Sequence, residues 1–242
     1  MKIAIIGCGW VGKRLAKYLT QRDYEVLATT TSPEKATYLK TVAAEVHVLD
    51  FTLEYSSHFL KNIDVAIFSM PISRSDWHQG FENLNHQFGK TILFSSTGIY
   101  PLEPKFYTEK TTDDLRPDIL ASENLVLQKY PQTSILRFGG LMGDERALQI
   151  FFKNKEVPNP EKAVNYIHYE DISAIVELLI QSDKTSDIYN LVAPNHPSIG
   201  EILNPQEEKT VDSHDAEQRI ISSELLIQEF NYTFLHPDPR FF

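Results

Sequence analysis

The sequence predicts an α/β protein built on a doubly wound parallel sheet, and three observations carry that prediction. The apolar run from Met1 to Ile6 breaks into Gly7-x-Gly9-x-x-Gly12 and passes directly into a helical pattern. Through the first hundred residues, apolar and β-branched runs alternate with further helical patterns. Those runs are near-continuous, which is how strands read when both faces of a sheet are covered. Right-handed crossovers then place a ligand crevice beyond the strand C-termini.

Ile3 to Ile6 forms the first strand. The helix after it carries Val11, Leu15, Ala16 and Leu19 on one face and Lys13, Arg14 and Lys17 on the other. In the turn between them, Gly7 permits the sharp exit from the strand, Gly9 removes a side chain where a pyrophosphate must approach, and Gly12 lets helix and strand pack. The N–H groups of Trp10, Val11 and Gly12 would face the phosphates at the positive end of the helix dipole. Tyr24 to Thr31 reads as the second strand, Ser32 as an N-cap ahead of Pro33 and a helix, and Val46 to Leu49 as the third strand. Ile63 to Ser69 and Thr91 to Ser95 supply the fourth and fifth. Beyond residue 100 the texture changes. Pro101 to Pro117 reads as a loop, Ala121 to Lys129 as a helix, Ser134 to Phe138 as a strand, Asp171 to Ile180 as a helix and Asp187 to Val192 as a late strand. Pro194 to Ala216 is acidic and weakly patterned, and is read as solvated loop. The expectation is one domain over 1–242, with residues from about 140 onward forming a smaller lobe.

Composition narrows the partners. Lys and Arg total 23 against 33 acids, a formal charge of -10 that argues against nucleic acid. The single cysteine, Cys8, excludes an internal disulfide, points to a reducing compartment and fits the turn as a small residue. No apolar run approaches the ~20 residues of a membrane span, and Met1-Lys-Ile enters a strand at once, so a cytoplasmic protein without a signal peptide is expected. No Cys or His grouping has metal-ligand spacing, so no metal is expected. Neither a G-x-S-x-G elbow nor a G-x-x-x-x-G-K-[ST] phosphate loop is present.

Six runs occur in an order and spacing that resemble the extended and atypical short-chain dehydrogenase/reductase superfamily, in its epimerase/dehydratase-like branch. They are Gly7 to Gly12, Leu49-Asp-Phe51, Phe68-Ser-Met-Pro71, Phe94-Ser-Ser-Thr-Gly-Ile-Tyr-Pro101, Leu136 to Gly143 and Asn165-Tyr-Ile-His-Tyr-Glu-Asp171. The resemblance implies a Rossmann-type sheet carrying NAD or NADP, with a small C-terminal substrate lobe and a small hydroxyl- or carbonyl-bearing substrate such as a nucleotide sugar. It also implies Asp50 and Phe51 against the adenine and Ser69, Met70 and Pro71 along the dinucleotide.

NAD sites usually carry an acid about 20 residues past the glycines, on the ribose 2′-OH. Thr30, Thr31 and Ser32 stand there instead, with Lys35 following, a set that favours NADP. Ser32 can also simply cap its helix, and Asp50 can be a turn residue. The absence of the arginine that relatives carry at Thr31 weighs the other way.

For catalysis the resemblance implies a Ser or Thr that orients the substrate, a Tyr that moves its proton, and a Lys four residues later that lowers the phenol's pKa. Ser96 matches the first. None of the 11 tyrosines is followed by Lys at the fourth position, and the family's Tyr and Lys positions fall near Leu115 and Ile119. Tyr100, Tyr107, Lys105 and Lys110 read as packing or surface residues, His168 as structural, and Glu170 or Asp171 as stabilising a helix N-terminus. Two functions stand open: an atypical NAD(P)-dependent oxidoreductase or epimerase/dehydratase-like enzyme, and a non-catalytic NAD(P)-sensing module.

Overall fold

A computed structural model of the chain describes residues 1–205 and 218–242. In chain order the elements are β1 (Lys2–Ile6), α1 (Trp10–Thr20), β2 (Glu25–Thr30), α2 (Pro33–Leu39), β3 (Glu45–Val48), β4 (Val65–Phe68), α3 (His78–Glu82) and β5 (Lys90–Ser96). There follow β6 (Phe106–Tyr107), α4 (Pro117–Lys129), β7 (Thr133–Phe138), β8 (Gly140–Met142), α5 (Leu148–Phe151), β9 (Tyr166–His168) and α6 (Tyr169–Gln181). The chain closes with β10 (Ile188–Leu191), α7 (Ile199–Leu203), β11 (Ile220–Ile221) and α8 (Glu224–Phe230).

Seven strands form one sheet in the order β3-β2-β1-β4-β5-β7-β10, a Rossmann-type α/β sheet of the class the sequence predicts. β1 lies inside it, next to the central β4, in parallel register with both neighbours, Ile3 opposite Val26 on one side and Val65 on the other. All four residues of β4 and all six of β7 are buried; β4 reads as an unbroken apolar run, while β7 carries Thr133, Ser134 and Arg137 beside its apolar residues. α1 buries Val11, Gly12, Leu15, Ala16 and Leu19, the face its period predicts. Ser32 caps α2 by accepting from the Lys35 N–H, with Pro33 at the first helical position.

Two compact units divide the chain. The first comprises Met1–Ser96, Arg116–Leu136 and Ser173–Ile188. Its core gathers Ala4, Ile6, Leu27, Phe68, Phe81, Leu93, Val126 and Tyr130 into one buried cluster. The second comprises Thr97–Leu115, Arg137–Ile172 and Tyr189–Phe242, with a smaller core of Met142, Leu148, Val164 and Ile202.

The structure departs from two loop assignments. Within Pro101 to Pro117, Phe106 and Tyr107 pair in parallel with Ile220 and Ile221; a two-residue strand has no period to read. Within Pro194 to Ala216, Ile199–Leu203 is helical, started by a reciprocal capping box between Ser198 and Glu201. Residues 206–216 of that acidic stretch lie outside the described residues. Among the described residues, no helix is long and apolar enough to cross a membrane.

Candidate dinucleotide site

The glycine turn is built by three different constraints. Gly7 has φ +86°, and a Cβ there would lie 3.0 Å from the Ser69 carbonyl carbon and oxygen, so the turn and the end of β4 touch backbone to backbone. A Cβ on Gly12 would come within 3.1 Å of the Cys8 sulfur and 3.2 Å of Ile5 Cγ2, which fixes how closely α1 sits on β1. At Gly9 a Cβ would meet nothing among the described residues nearer than the Gly7 oxygen at 3.9 Å. Among the described residues, the glycine that no neighbour requires is the one facing open space.

β2 pins this turn through Thr29, a fully buried residue. Thr29 Oγ1 accepts from the Gly7 N–H at 3.1 Å and its carbonyl accepts from the Cys8 N–H at 2.7 Å. α1 then starts at Trp10 with Gly9 as N-cap, no side chain capping it and no acid in its first turn. Such an N-terminus offers its N–H groups and the positive end of its dipole to an anion. Trp10 itself lies under the Arg14 guanidinium, 3.8 Å from ring centroid to Cζ. Burial pushes the Cys8 thiol up to about 12, so Cys8 is a packing residue of the turn.

The other singled-out residues follow the C-terminal ends of β2, β3, β4 and β5. Thr30 is buried, and its Oγ1 accepts from the Ser32 N–H at 3.4 Å; Thr31 and Lys35 are exposed and Ser32 is half-buried. Lys13, on the neighbouring helix, places its Nζ 5.9 Å from the Tyr38 ring of α2. Glu34 is the acid of this turn, in the first turn of α2. Asp50 Oδ1 accepts from both the backbone N–H and the hydroxyl of Thr52, at 2.9 and 2.7 Å, and so closes a turn. Phe51 is buried edge-on to Tyr55 and Phe81, and Met70 packs in the same core, so backbone is what Met70 can offer a ligand. Pro71 is exposed, with its carbonyl accepting from the Trp77 indole N–H at 3.1 Å.

At the end of β5, three hydroxyls differ in burial. Ser95 and Thr97 are buried and Ser96 is half-buried. Ser95 Oγ donates to Glu123 Oε1 of α4 at 2.6 Å, between two buried groups. Thr97 Oγ1 donates to the Phe138 carbonyl at 3.2 Å. Leu115 is half-buried just ahead of α4 and Ile119 is buried within it. The ring of His78 lies 2.8 Å from Ser122 Oγ, one turn further along α4, and burial lowers its pKa.

Both tyrosines that closely follow Ser96 in sequence are held by hydrogen bonds. Tyr100 is buried with its hydroxyl donating to Asn190 and accepting from Arg137, at 2.8 and 2.9 Å, and Tyr107 donates to the Glu103 carbonyl at 3.2 Å. Burial is the largest cause raising both phenols. Lys105 and Lys110 are exposed. Arg219, which the sequence did not single out, donates to the carbonyls of Thr97, Tyr100 and Pro101 and fixes that turn.

His168 is buried, and burial lowers its pKa. Asp171 accepts from the Tyr232 hydroxyl and the N–H groups of Leu235 and His236, so its carboxylate anchors the C-terminal segment in addition to sitting in the first turn of α6. Glu170 meets His168 and His236 in a cluster of potential metal ligands, which sequence spacing missed because His236 lies 66 residues beyond Glu170.

Residues 2–76 match the family described as NADP oxidoreductase, coenzyme F420-dependent. The whole chain is similar to Protein YeeZ of Escherichia coli K12, 28% identical over 98% of this chain and 97% of that protein. Among solved structures it resembles a conserved protein of unknown function from Silicibacter pomeroyi, with a TM-score of 0.77, 16% identity and coverage of 99% and 95% of the two chains. It also resembles UDP-glucuronic acid 4-epimerase from Bacillus cereus in complex with NAD, with a TM-score of 0.72, 14% identity and coverage of 96% and 91%. The fold is therefore the one that NAD-dependent epimerases use.

Proposed function

We propose that the chain binds a nicotinamide dinucleotide on the Gly7 to Gly12 turn and acts as an atypical NAD(P)-dependent oxidoreductase or epimerase/dehydratase-like enzyme. The observation that carries this reading is the turn itself: an uncapped α1 N-terminus behind a glycine whose missing side chain leaves open space. Trp10, Val11 and Gly12 would hold the pyrophosphate, with Thr29 keeping the turn in place. Thr30, Thr31, Ser32 and Lys35 would line the adenosine ribose, and Thr31 with Lys35 favours the 2′-phosphate of NADP. Asp50, Phe51, Ser69, Met70 and Pro71 would complete the wall, Asp50 through the turn it closes.

When bound, the dinucleotide supplies or accepts a hydride. Ser96 would hold the substrate hydroxyl or carbonyl, being the hydroxyl at the end of β5 that is less than fully buried. The substrate class is a small hydroxyl- or carbonyl-bearing molecule, and the B. cereus relative's name supports a nucleotide sugar. A second reading, a non-catalytic NAD(P)-sensing module, is favoured by Leu115 and Ile119, which cannot ionise. Titration with NADPH and NADH, followed by cofactor fluorescence, tests both: no binding at micromolar levels removes both readings. Turnover of a UDP-sugar panel that survives Ser96→Ala unchanged removes the enzyme as described.

A further inference from the structure

β2 ends at Thr30, and a dinucleotide fold of this kind grips the adenosine ribose just beyond that end. Thr31 stands there, exposed, without the arginine that the resemblance implies. Two lysines approach the same corner from different helices. Lys35 lies in the first turn of α2, with its N–H donating to the Ser32 hydroxyl that caps the helix. Lys13 closes the first turn of α1, with its N–H donating to the Gly9 carbonyl at 2.9 Å. Each helix therefore fixes one lysine backbone beside the end of β2.

Tyr38 links the two. It is 69% exposed, on a helix whose one buried residue is Leu39. Helical side chains lean back over the preceding turn, and Lys35 and Tyr38 are three residues apart, so the Tyr38 ring shares a face with Lys35 and covers the N-terminal turn of α2. Lys13 reaches across from α1 and places its Nζ 5.9 Å from the centroid of that ring. Two cations thus flank one open aromatic ring. The ion pairs among the described residues include neither Lys13 nor Lys35, nor Glu34 in the same turn. Burial raises the Cys8 thiol and the charge of Lys13 opposes it, which puts that ammonium within electrostatic reach of the glycine turn. A phosphate monoester carries about −1.5 to −2 charges at neutral pH, whereas a ribose hydroxyl carries none, so a pair of ammonium groups here discriminates between the two.

We propose that Lys13 and Lys35, on either side of the Tyr38 ring, clamp the 2′-phosphate of NADP, so that α1 supplies the cation missing after β2. The inference rests on the dinucleotide reading of the Gly7 to Gly12 turn and adds to it the helix that selects NADPH over NADH. The test titrates the full chain with NADPH and with NADH by cofactor fluorescence, and displaces NADPH with 2′,5′-ADP and with 5′-AMP. The parent should prefer NADPH, and 2′,5′-ADP should displace it at lower concentration than 5′-AMP does. Lys13→Gln should weaken NADPH about tenfold and leave NADH within about twofold. Lys13→Arg, which keeps the charge, should keep the preference. Lys17→Gln, at an exposed lysine one turn further along α1, should change neither affinity. All three positions are at the surface, and circular dichroism and Tm on the same preparations should match the parent. A parent that binds NADPH and NADH equally, a Lys13→Gln chain that keeps its preference or weakens for both alike, or a Lys17→Gln effect as large as that of Lys13→Gln overturns the clamp and leaves the dinucleotide reading standing. A parent that binds neither cofactor removes that reading and the clamp with it.

Discussion

Gly9→Ala separates a turn shaped for a ligand from one shaped only by the fold, because the three glycines are constrained differently. Gly9 has φ −87° and ψ −148°, a negative φ open to L-residues with ψ just past the extended region. A methyl there meets nothing among the described residues closer than 3.9 Å, so stability should stay within about 1 kcal/mol of the parent's. Gly12→Ala forces its methyl to 3.1 Å from the Cys8 sulfur and 3.2 Å from Ile5, an overpacking of about 1–3 kcal/mol. Gly7→Ala meets Ser69 backbone at 3.0 Å with φ +86°, and should cost about 2 kcal/mol or more.

Cofactor affinity should rank differently. The methyl at Gly9 stands where a pyrophosphate would approach the α1 N–H groups, whose hydrogen bonds to a charged partner are each worth about 1.5–3 kcal/mol. Losing one of them raises Kd about tenfold or more. NADPH fluorescence titration and thermal denaturation on the same preparations give both quantities. Gly9→Ala binding as tightly as the parent refutes the reasoning, and so does a loss of binding that merely tracks a large fall in Tm.

Other outcomes follow from the same geometry. Ser96→Ala should lower turnover by about 100-fold while leaving NADPH affinity and Tm near the parent's, checked by steady-state kinetics. Ser95→Ala removes the 2.6 Å bond to buried Glu123 and should instead cost about 1–3 kcal/mol in urea unfolding. Lys35→Glu should move the NADPH/NADH affinity ratio toward NADH by about threefold to tenfold, less at high salt because the position is exposed. Burial depresses the folded-state pKa of His78, His86 and His196 below the unfolded value near 6.5, so the unfolded chain takes up their protons first. Their contribution is complete above about pH 6.5 and falls away as pH drops below it. Glu109, raised by burial, works in the opposite sense but is one group against these three and His168, which burial also lowers. Chemical unfolding between pH 8 and 5 should therefore show stability declining on the acid side; a flat profile contradicts this.

Legibility followed the length and continuity of the local signal. β1, β2, β4, β5 and β7 were readable to within two residues because burial on both faces gives each a run of apolar or β-branched residues, interrupted or flanked by few polar ones such as Lys2, Glu25 and Arg137. β6 and β11 were not, because two residues carry no period and their pairing spans more than a hundred residues of chain. The capping box at Ser198 and Glu201 was present in the sequence but sat inside an acidic stretch whose charge masked it. In the site, Thr30 to Ser32 were found because they end a strand. Thr29 was not, since its bonds to Gly7 and Cys8 exist only once β1 and β2 pair in register, Ile5 opposite Ala28. His236 was invisible for the same reason: its neighbours are chosen by Asp171 and the path of the C-terminal segment.

The positions at which the resemblance implies a tyrosine and a lysine, near Leu115 and Ile119, can be placed more sharply than by counting. A buried pair such as Ser95 and Glu123 is weak evidence for stability, since an apolar pair of the same volume would serve as well. What the pair does is fix the register of α4 against the end of β5. Ile119, four residues before Glu123, therefore lies on the face of α4 that meets the sheet, and both residues are buried. The side chain that this frame presents at Ile119 is packed hydrocarbon. No cation stands at that position to lower a phenol's pKa, and Tyr100 and Tyr107 are raised by burial. On the enzyme reading, a proton donor therefore has to be sought outside Leu115 and Ile119.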